Sequence, residues 1–152
     1  MALVKGSVTM SAANTLTVAT IDTNLLVDGK TGWEIRGFLG YASTLEVQVL
    51  ADIEASLVLA TIPTITTMDM EDEVARCAWQ IMVTGAVDAA IYVPDGIKQA
   101  VMIQPRVTVQ PQIYVQAVTT GYTNPGTFYW MLEYEPVKLT DIELLRLLVG
   151  GA

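Results

Sequence analysis

The densest group of side chains that could do chemistry in this sequence is acidic. Asp69, Glu71, Asp72 and Glu73 fall within five consecutive residues. Carboxylate oxygens are the hard ligands that Ca²⁺ prefers, but the stretch lacks the glycine and the regular alternation of an EF-hand loop. The alternatives are therefore a calcium site and a solvated loop or acidic helix N-terminus. The second is the ordinary interpretation, so we expect no bound metal and no cofactor.

The sequence also lacks the usual groups for catalysis. Nucleophilic catalysis most often needs a His beside the nucleophile, and the chain contains none. The single cysteine, Cys77, falls on the apolar face of a predicted strand, where a small core residue is expected rather than a reactive thiol. Glu133 and Glu135 share one strand face, and solvated strand charge is the alternative to a glycosidase pair. We predict that the protein is not an enzyme.

A loop between two aromatic segments offers one further candidate site. Residues 121–126 read Gly-Tyr-Thr-Asn-Pro-Gly, and Tyr129 and Trp130 follow closely. Aromatic faces beside an amide suit sugar binding, so Tyr122 and Asn124 are candidate glycan contacts. The same residue types also serve turns and protein interfaces.

Composition indicates more apolar side chain than one small core needs. Hydrophobic residues make up 52% of the 152 residues and charged residues 16%, against about 25% charged in an average soluble domain. No run of about 18 apolar residues predicts a transmembrane helix, and no apolar stretch near the N-terminus resembles a secretory signal. We therefore expect a cytoplasmic protein that buries part of its surface against other chains.

Charge argues against direct contact with nucleic acid. The net charge is −8, from 16 acidic and 8 basic residues. The first thirty residues balance Lys5 and Lys30 against Asp22 and Asp28, so no basic arm is present. Phosphate neutralisation by Lys and Arg dominates nucleic-acid affinity, and this chain is poorly equipped for it.

Apolar residues recur with a period of two, which predicts β-strands. The longest alternation runs over residues 45–59, long enough that a bend near Ala51 is expected. In residues 127–135, Phe128, Trp130, Leu132 and Tyr134 face one way and the residues between them the other. Further predicted strands cover 15–21, 32–38, 73–83, 90–93, 99–103, 107–109 and 112–118. Residues 68–79 are an alternative short helix.

Seven to nine strands separated by Gly, Pro, Asn and Asp turns predict an all-β sandwich or barrel. One helix is expected at the end of the chain. Thr140 and Glu143 match a capping box, and the glycines at 150–151 end the apolar run, so we predict a helix over 141–149. Ile142, Leu144, Leu145, Leu147 and Leu148 sweep over more than half of its circumference.

Nine residues do not hold a helix alone in water, so this one must pack against something. It either caps the open end of its own sandwich or reaches a neighbouring subunit. The apolar excess favours the neighbour, and the five residues are the predicted intersubunit contacts. The chain then divides into a β-sandwich over residues 1–138 and a helical tail over 139–152.

Two segments, LEVQVLADIEASLVL (45–59) and QIYVQAVTTGYTNPGTFYWMLEYE (112–135), resemble strands of single jelly-roll viral capsid (coat) proteins. The likeness lies in alternating strands and in a Gly- and Pro-containing loop between aromatic ones. It implies a jelly-roll β-sandwich of about eight strands with a short C-terminal α-helix. It also implies a structural virion protein, assembled in the host cytoplasm, whose copies form an icosahedral shell.

Many small coat proteins carry an Arg-rich N-terminal arm, and this chain departs from that pattern. This departure argues against direct binding of the genome. The expected partners are copies of the chain itself and other virion proteins, with contact to an internal membrane as a further option. A carbohydrate-binding β-sandwich module and a minor or cementing virion protein are the alternative functions.

Overall fold

The computed structural model describes residues 2–26, 29–43, 53–64, 72–81, 98–103, 106–121 and 126–149. These residues form nine β-strands and one α-helix. The strands are β1 (Ala2–Thr9), β2 (Thr17–Asp22), β3 (Thr31–Ser43), β4 (Ile53–Ala60), β5 (Glu73–Ile81), β6 (Lys98–Ile103), β7 (Arg106–Thr108), β8 (Gln112–Thr120) and β9 (Thr127–Lys138). The helix, α1, spans Asp141–Val149, as its capping box predicts.

The strands lie in two antiparallel sheets. Sheet I has the order β1-β9-β3-β7 and sheet II the order β2-β8-β4-β5-β6. Their pairing is nested, because β1 pairs with β9, β2 with β8 and β3 with β7. The first strands thus pair with the last in reverse order, which folds the chain back along itself as one long ribbon.

The two sheets pack face to face over one apolar core, which confirms the predicted all-β sandwich. Sheet I contributes Phe38, Phe128 and Leu132, and sheet II contributes Leu57 and Val115. The predicted faces of β9 are correct: Phe128, Trp130 and Leu132 are buried and Tyr129 is exposed. Large side chains at alternate positions of the strands therefore form the apolar layer between the two sheets.

Three sequence expectations need correction or closer definition. The alternative helix over residues 68–79 is wrong for its described part, because β5 runs from Glu73 and pairs with β4 and β6. No strand was predicted at the N-terminus, yet β1 pairs with β9 over its whole length. The predicted strand at 90–93 and the first half of 45–59 lie outside the described residues.

At one position of sheet I, a side chain of sheet II approaches the backbone so closely that only glycine fits. A Cβ at Gly40 would collide with the buried Leu57 side chain of sheet II, whereas at Gly37 it would meet only the flexible Glu133 carboxylate, at 3.1 Å. Gly40 therefore sets the distance between the sheets at this point, and Gly37 does not.

We predict that Gly40→Ala lowers the free energy of unfolding by about 1–3 kcal/mol, because the added methyl group overpacks the core against Leu57. Urea denaturation measures this. Gly37→Ala is the matched control and should unfold near the wild-type urea concentration. A Gly40→Ala protein as stable as wild type would contradict the close approach.

Candidate functional site

The acidic cluster is only partly within the described residues. Asp69 and Glu71 lie outside them. The Thr61 hydroxyl donates a hydrogen bond to the Asp72 carboxylate (3.1 Å), and Arg76 Nε donates to Glu73 Oε1 (2.6 Å). Within the described ranges, no three His, Cys, Asp or Glu side chains are placed to hold a metal. Asp72 and Glu73 thus have protein partners, and the expectation that no metal is bound here stays a prediction.

The other catalytic candidates have structural contacts. Cys77 is fully buried between the sheets, and burial raises the pKa of its thiol, so the reactive thiolate is disfavoured. Glu135 forms an ion pair with Arg36 at 2.9 Å on the outer face of sheet I. Glu133 lies on the same face beside Gly37. Cys77 is therefore the core residue that its position in the sequence indicates.

The glycan candidates Tyr122 and Asn124 lie outside the described residues. Of the aromatic side chains that follow them, Tyr129 is exposed on the outer face of sheet I, and Trp130 is buried in the core. The two point to opposite sides of β9, so they do not form one aromatic platform.

Local interactions hold the start of α1. The Thr140 backbone N–H donates to the Glu143 carboxylate (2.8 Å), and the Glu143 N–H donates to the Thr140 hydroxyl (3.2 Å). Lys30 forms an ion pair with Asp141 at 2.7 Å, and the Leu139 N–H donates to the Lys30 carbonyl. The capping box predicted from the sequence is therefore formed, and it fixes the helix at the end of β9.

No residue of α1 is buried. Leu144 and Leu147 are half-buried, whereas Ile142 is 65%, Leu145 62% and Val149 80% exposed. Leu148 is also exposed. The predicted contact residues therefore divide into two half-buried leucines and an exposed set.

The exposed set forms one continuous stripe. At about 100° per residue, Ile142, Leu145, Leu148 and Val149 lie within roughly 120° of the helix circumference. We call these four residues the exposed stripe. Burying large aliphatic side chains stabilises by about 1.5–3 kcal/mol each, so complete burial of the stripe is worth about 6–12 kcal/mol as an upper bound.

A second apolar surface lies on the outer face of sheet I. A hollow of about 310 Å³ is lined by Lys5, Gly6, Leu39, Tyr129, Trp130 and Met131. A second of about 230 Å³ is lined by Gly37, Phe38, Leu39, Met131 and Glu133. Because Leu39 and Met131 line both, we describe the two hollows together as the sheet I groove.

Strand register explains the groove. Met131 of β9 lies opposite Lys5 of β1 on one side and opposite Leu39 of β3 on the other. Two residues along β9, Glu133 lies opposite Gly37, which has no side chain to fill the surface. Leu39 is 50% exposed and Tyr129 40%. The groove therefore has an apolar floor, with Lys5 at one edge and Glu133 at one end.

Sequence reasoning missed this groove. The outward positions of β9 were recognised, but β1 was not, so Lys5 had no predicted neighbours. The available signal was weak: Val4, Gly6 and Val8 alternate with outward residues, and only Val8 is both apolar and buried. A groove across three strands depends on their pairing, which the local pattern does not contain.

Comparison of the chain with protein-family models, with curated proteins and with solved structures found no match. In the part of the chain that the structure describes, no helix has the length and apolar character needed to span a membrane. The functional interpretation therefore depends on the geometry of this fold.

The capping box predicts a pH response at Glu143. Hydrogen bonds from Thr140, first from its backbone and then from its side chain, lower the Glu143 pKa from the ordinary value of 4.5. Because the pKa of Glu143 is lower in the folded than in the unfolded chain, its carboxylate stabilises the helix at pH values above the unfolded-state pKa. This stabilisation is lost as the pH falls through the folded-state pKa. NMR titration of the Glu143 carboxyl carbon should give a midpoint below 4.5.

Thr140→Ala is the matched variant for this titration. It should raise the midpoint part of the way, because the hydroxyl is lost while the Thr140 backbone donor remains. An ordinary midpoint in the wild-type protein would mean that the capping box is not formed in solution.

Proposed function

We propose that this chain is a self-assembling structural subunit of a viral capsid, built on a jelly-roll β-sandwich. The observation that carries the proposal is the exposed stripe on a helix held at the end of the sandwich. Such a short helix is marginal in water without tertiary packing, and its large aliphatic side chains need a partner surface. A neighbouring copy in a shell supplies one.

Strand order supports the jelly roll. In a jelly roll, an antiparallel ribbon folds over so that its two halves contribute alternate strands to two sheets. The nested pairs β1–β9, β2–β8 and β3–β7 are such a ribbon. The cross-ribbon pairs β9–β3 and β8–β4 then join its layers into the two sheets. Strand β6 is an addition at the edge of sheet II.

Charge favours a shell protein that does not itself bind the genome. The chain carries a net charge of −8, and residues 2–9 pair as β1 with β9. In this proposal, cations, polyamines, another virion protein or an internal membrane face the nucleic acid. The subunit acts in the virion after assembly in the host cytoplasm, and it has no catalytic role.

We predict that removing residues 140–152, or replacing Leu145 and Leu148 with Gln, abolishes large assemblies and leaves a folded smaller species. The polar side chains remove the apolar area that would be buried between copies. Size-exclusion chromatography with light scattering, beside negative-stain microscopy, measures this.

Leu26→Gln is the matched control, since Leu26 is 71% exposed and belongs neither to the helix nor to the sheet I groove. It should assemble as wild type does. If the truncated chain formed particles of wild-type size, the tail would have no role in assembly. A wild-type chain that stays monomeric at high concentration, with no native particle containing it, would overturn the capsid proposal.

A further inference from the structure

We propose that the sheet I groove is the receptor for α1 of a second copy of this chain. The inference rests on the proposed function, because it names the partner surface of the same helix. Both surfaces are apolar and open to solvent in the single chain: the exposed stripe on α1, and in the groove the exposed Leu39 and Tyr129 with the half-buried Met131 between them. Each copy would therefore donate one helix and accept one.

The dimensions of the two surfaces agree. Nine helical residues are about 14 Å long, and a helix with its side chains is about 10–12 Å across. The groove runs from Tyr129 to Glu133, about 14 Å along β9. It spans three adjacent strands, β1, β9 and β3, which is about 10 Å in the hydrogen-bonding direction.

The helix of the same chain does not reach this groove. Strand β9 is paired with β3 up to Lys138, opposite Thr31, and Lys30 binds the next residues through Leu139 and Asp141. Glu133 lies five residues before Lys138, about 17 Å back along the strand. A helix of about 14 Å that begins beyond Lys138 and folds back therefore ends short of the groove. A second copy has no such limit.

Charges at the edges of the two surfaces are complementary. Arg146 lies about 40° beyond Ile142, beside the exposed stripe, and Glu133 lies at one end of the groove. Neither forms an ion pair within the described residues, and the charge of Arg146 makes only the smallest contribution to the lowered pKa of Glu143 on the same helix. Docking that brings Arg146 to Glu133 also allows the negative C-terminal end of the helix to lie near Lys5. The apolar contact thus has one preferred direction.

Disulfide trapping tests the contact directly in the full-length protein. Leu39→Cys chains carrying a size tag are mixed with untagged Leu145→Cys chains, assembled and then oxidised. The expected product is a mixed-size dimer on a non-reducing gel, formed only in the mixture. The native Cys77 is fully buried, so the wild-type chain should give no band.

Other products would overturn the inference. Dimers of Leu145→Cys alone would indicate helix-to-helix contact, and dimers of Leu39→Cys alone would indicate groove-to-groove contact. A chain carrying both cysteines should give a ladder of linked multimers, and a compact monomeric band would instead place the helix on its own sheet. In the matched control, tagged Leu39→Cys chains are mixed with untagged Leu26→Cys chains, and no mixed dimer should form.

A charge exchange tests the direction of docking. Glu133→Lys or Arg146→Glu alone should raise the protein concentration for half-maximal assembly by about two- to fivefold, and the double variant should restore it. No restoration would overturn the pairing of these two residues.

Sizing of the same samples separates the two proposals. If the wild-type chain assembles and no mixed dimer forms, the helix does not dock in the groove, and the capsid proposal stands. If the wild-type chain does not assemble, the capsid proposal itself fails.

Discussion

The structure depends on the register of β9, which lies in the interior of sheet I and pairs with β1 and β3 at once. One face of this strand buries Phe128 and Leu132 in the core, and the other carries Tyr129, Met131 and Glu133. A slip of one residue would exchange these faces, so burial of the large side chains fixes the outer surface as firmly as the core. The groove is therefore a consequence of core packing: Met131 lies between Lys5 and Leu39 because Phe128 and Leu132 point inward.

The same strand determines where the helix lies. Its last pairs with β3 end at Lys138, and the contacts of Lys30 hold the following residues at that end of the sheet. The capping box then starts the helix from local interactions alone. Those interactions satisfy backbone donors, but they bury none of the exposed stripe. A cap is worth about 1 kcal/mol, well below what the stripe would contribute on burial, so the stability of this helix is set mainly by what it packs against.

Much of this arrangement could be predicted from local sequence. The two faces of β9 follow from period-two alternation, and the helix follows from Thr140 and Glu143 three residues apart. Cys77 was assigned to the core because apolar residues alternate around it. The exceptions have a common cause, since β1 carries Gly6 and Lys5 where a regular strand would carry β-branched residues, and only its pairing with β9 defines it. The groove needs three strands in register, a long-range property that no window of sequence contains.

Placing donor and acceptor surfaces on one chain has a geometric consequence. A helix of one copy in the groove of the next is a heterologous contact, which closes into rings or shells when the rotation between copies allows and otherwise continues as a filament. Because the helix lies at the end of β9 and the groove lies along its first half, the two are offset along one strand, so copies joined by the proposed contact would be displaced as well as rotated. In the proposed capsid, the short connection at Leu139 and Thr140 between β9 and the helix sets this angle. Curvature of the shell would then be determined by those two residues together with the contacts of Lys30, and not by the sandwich core.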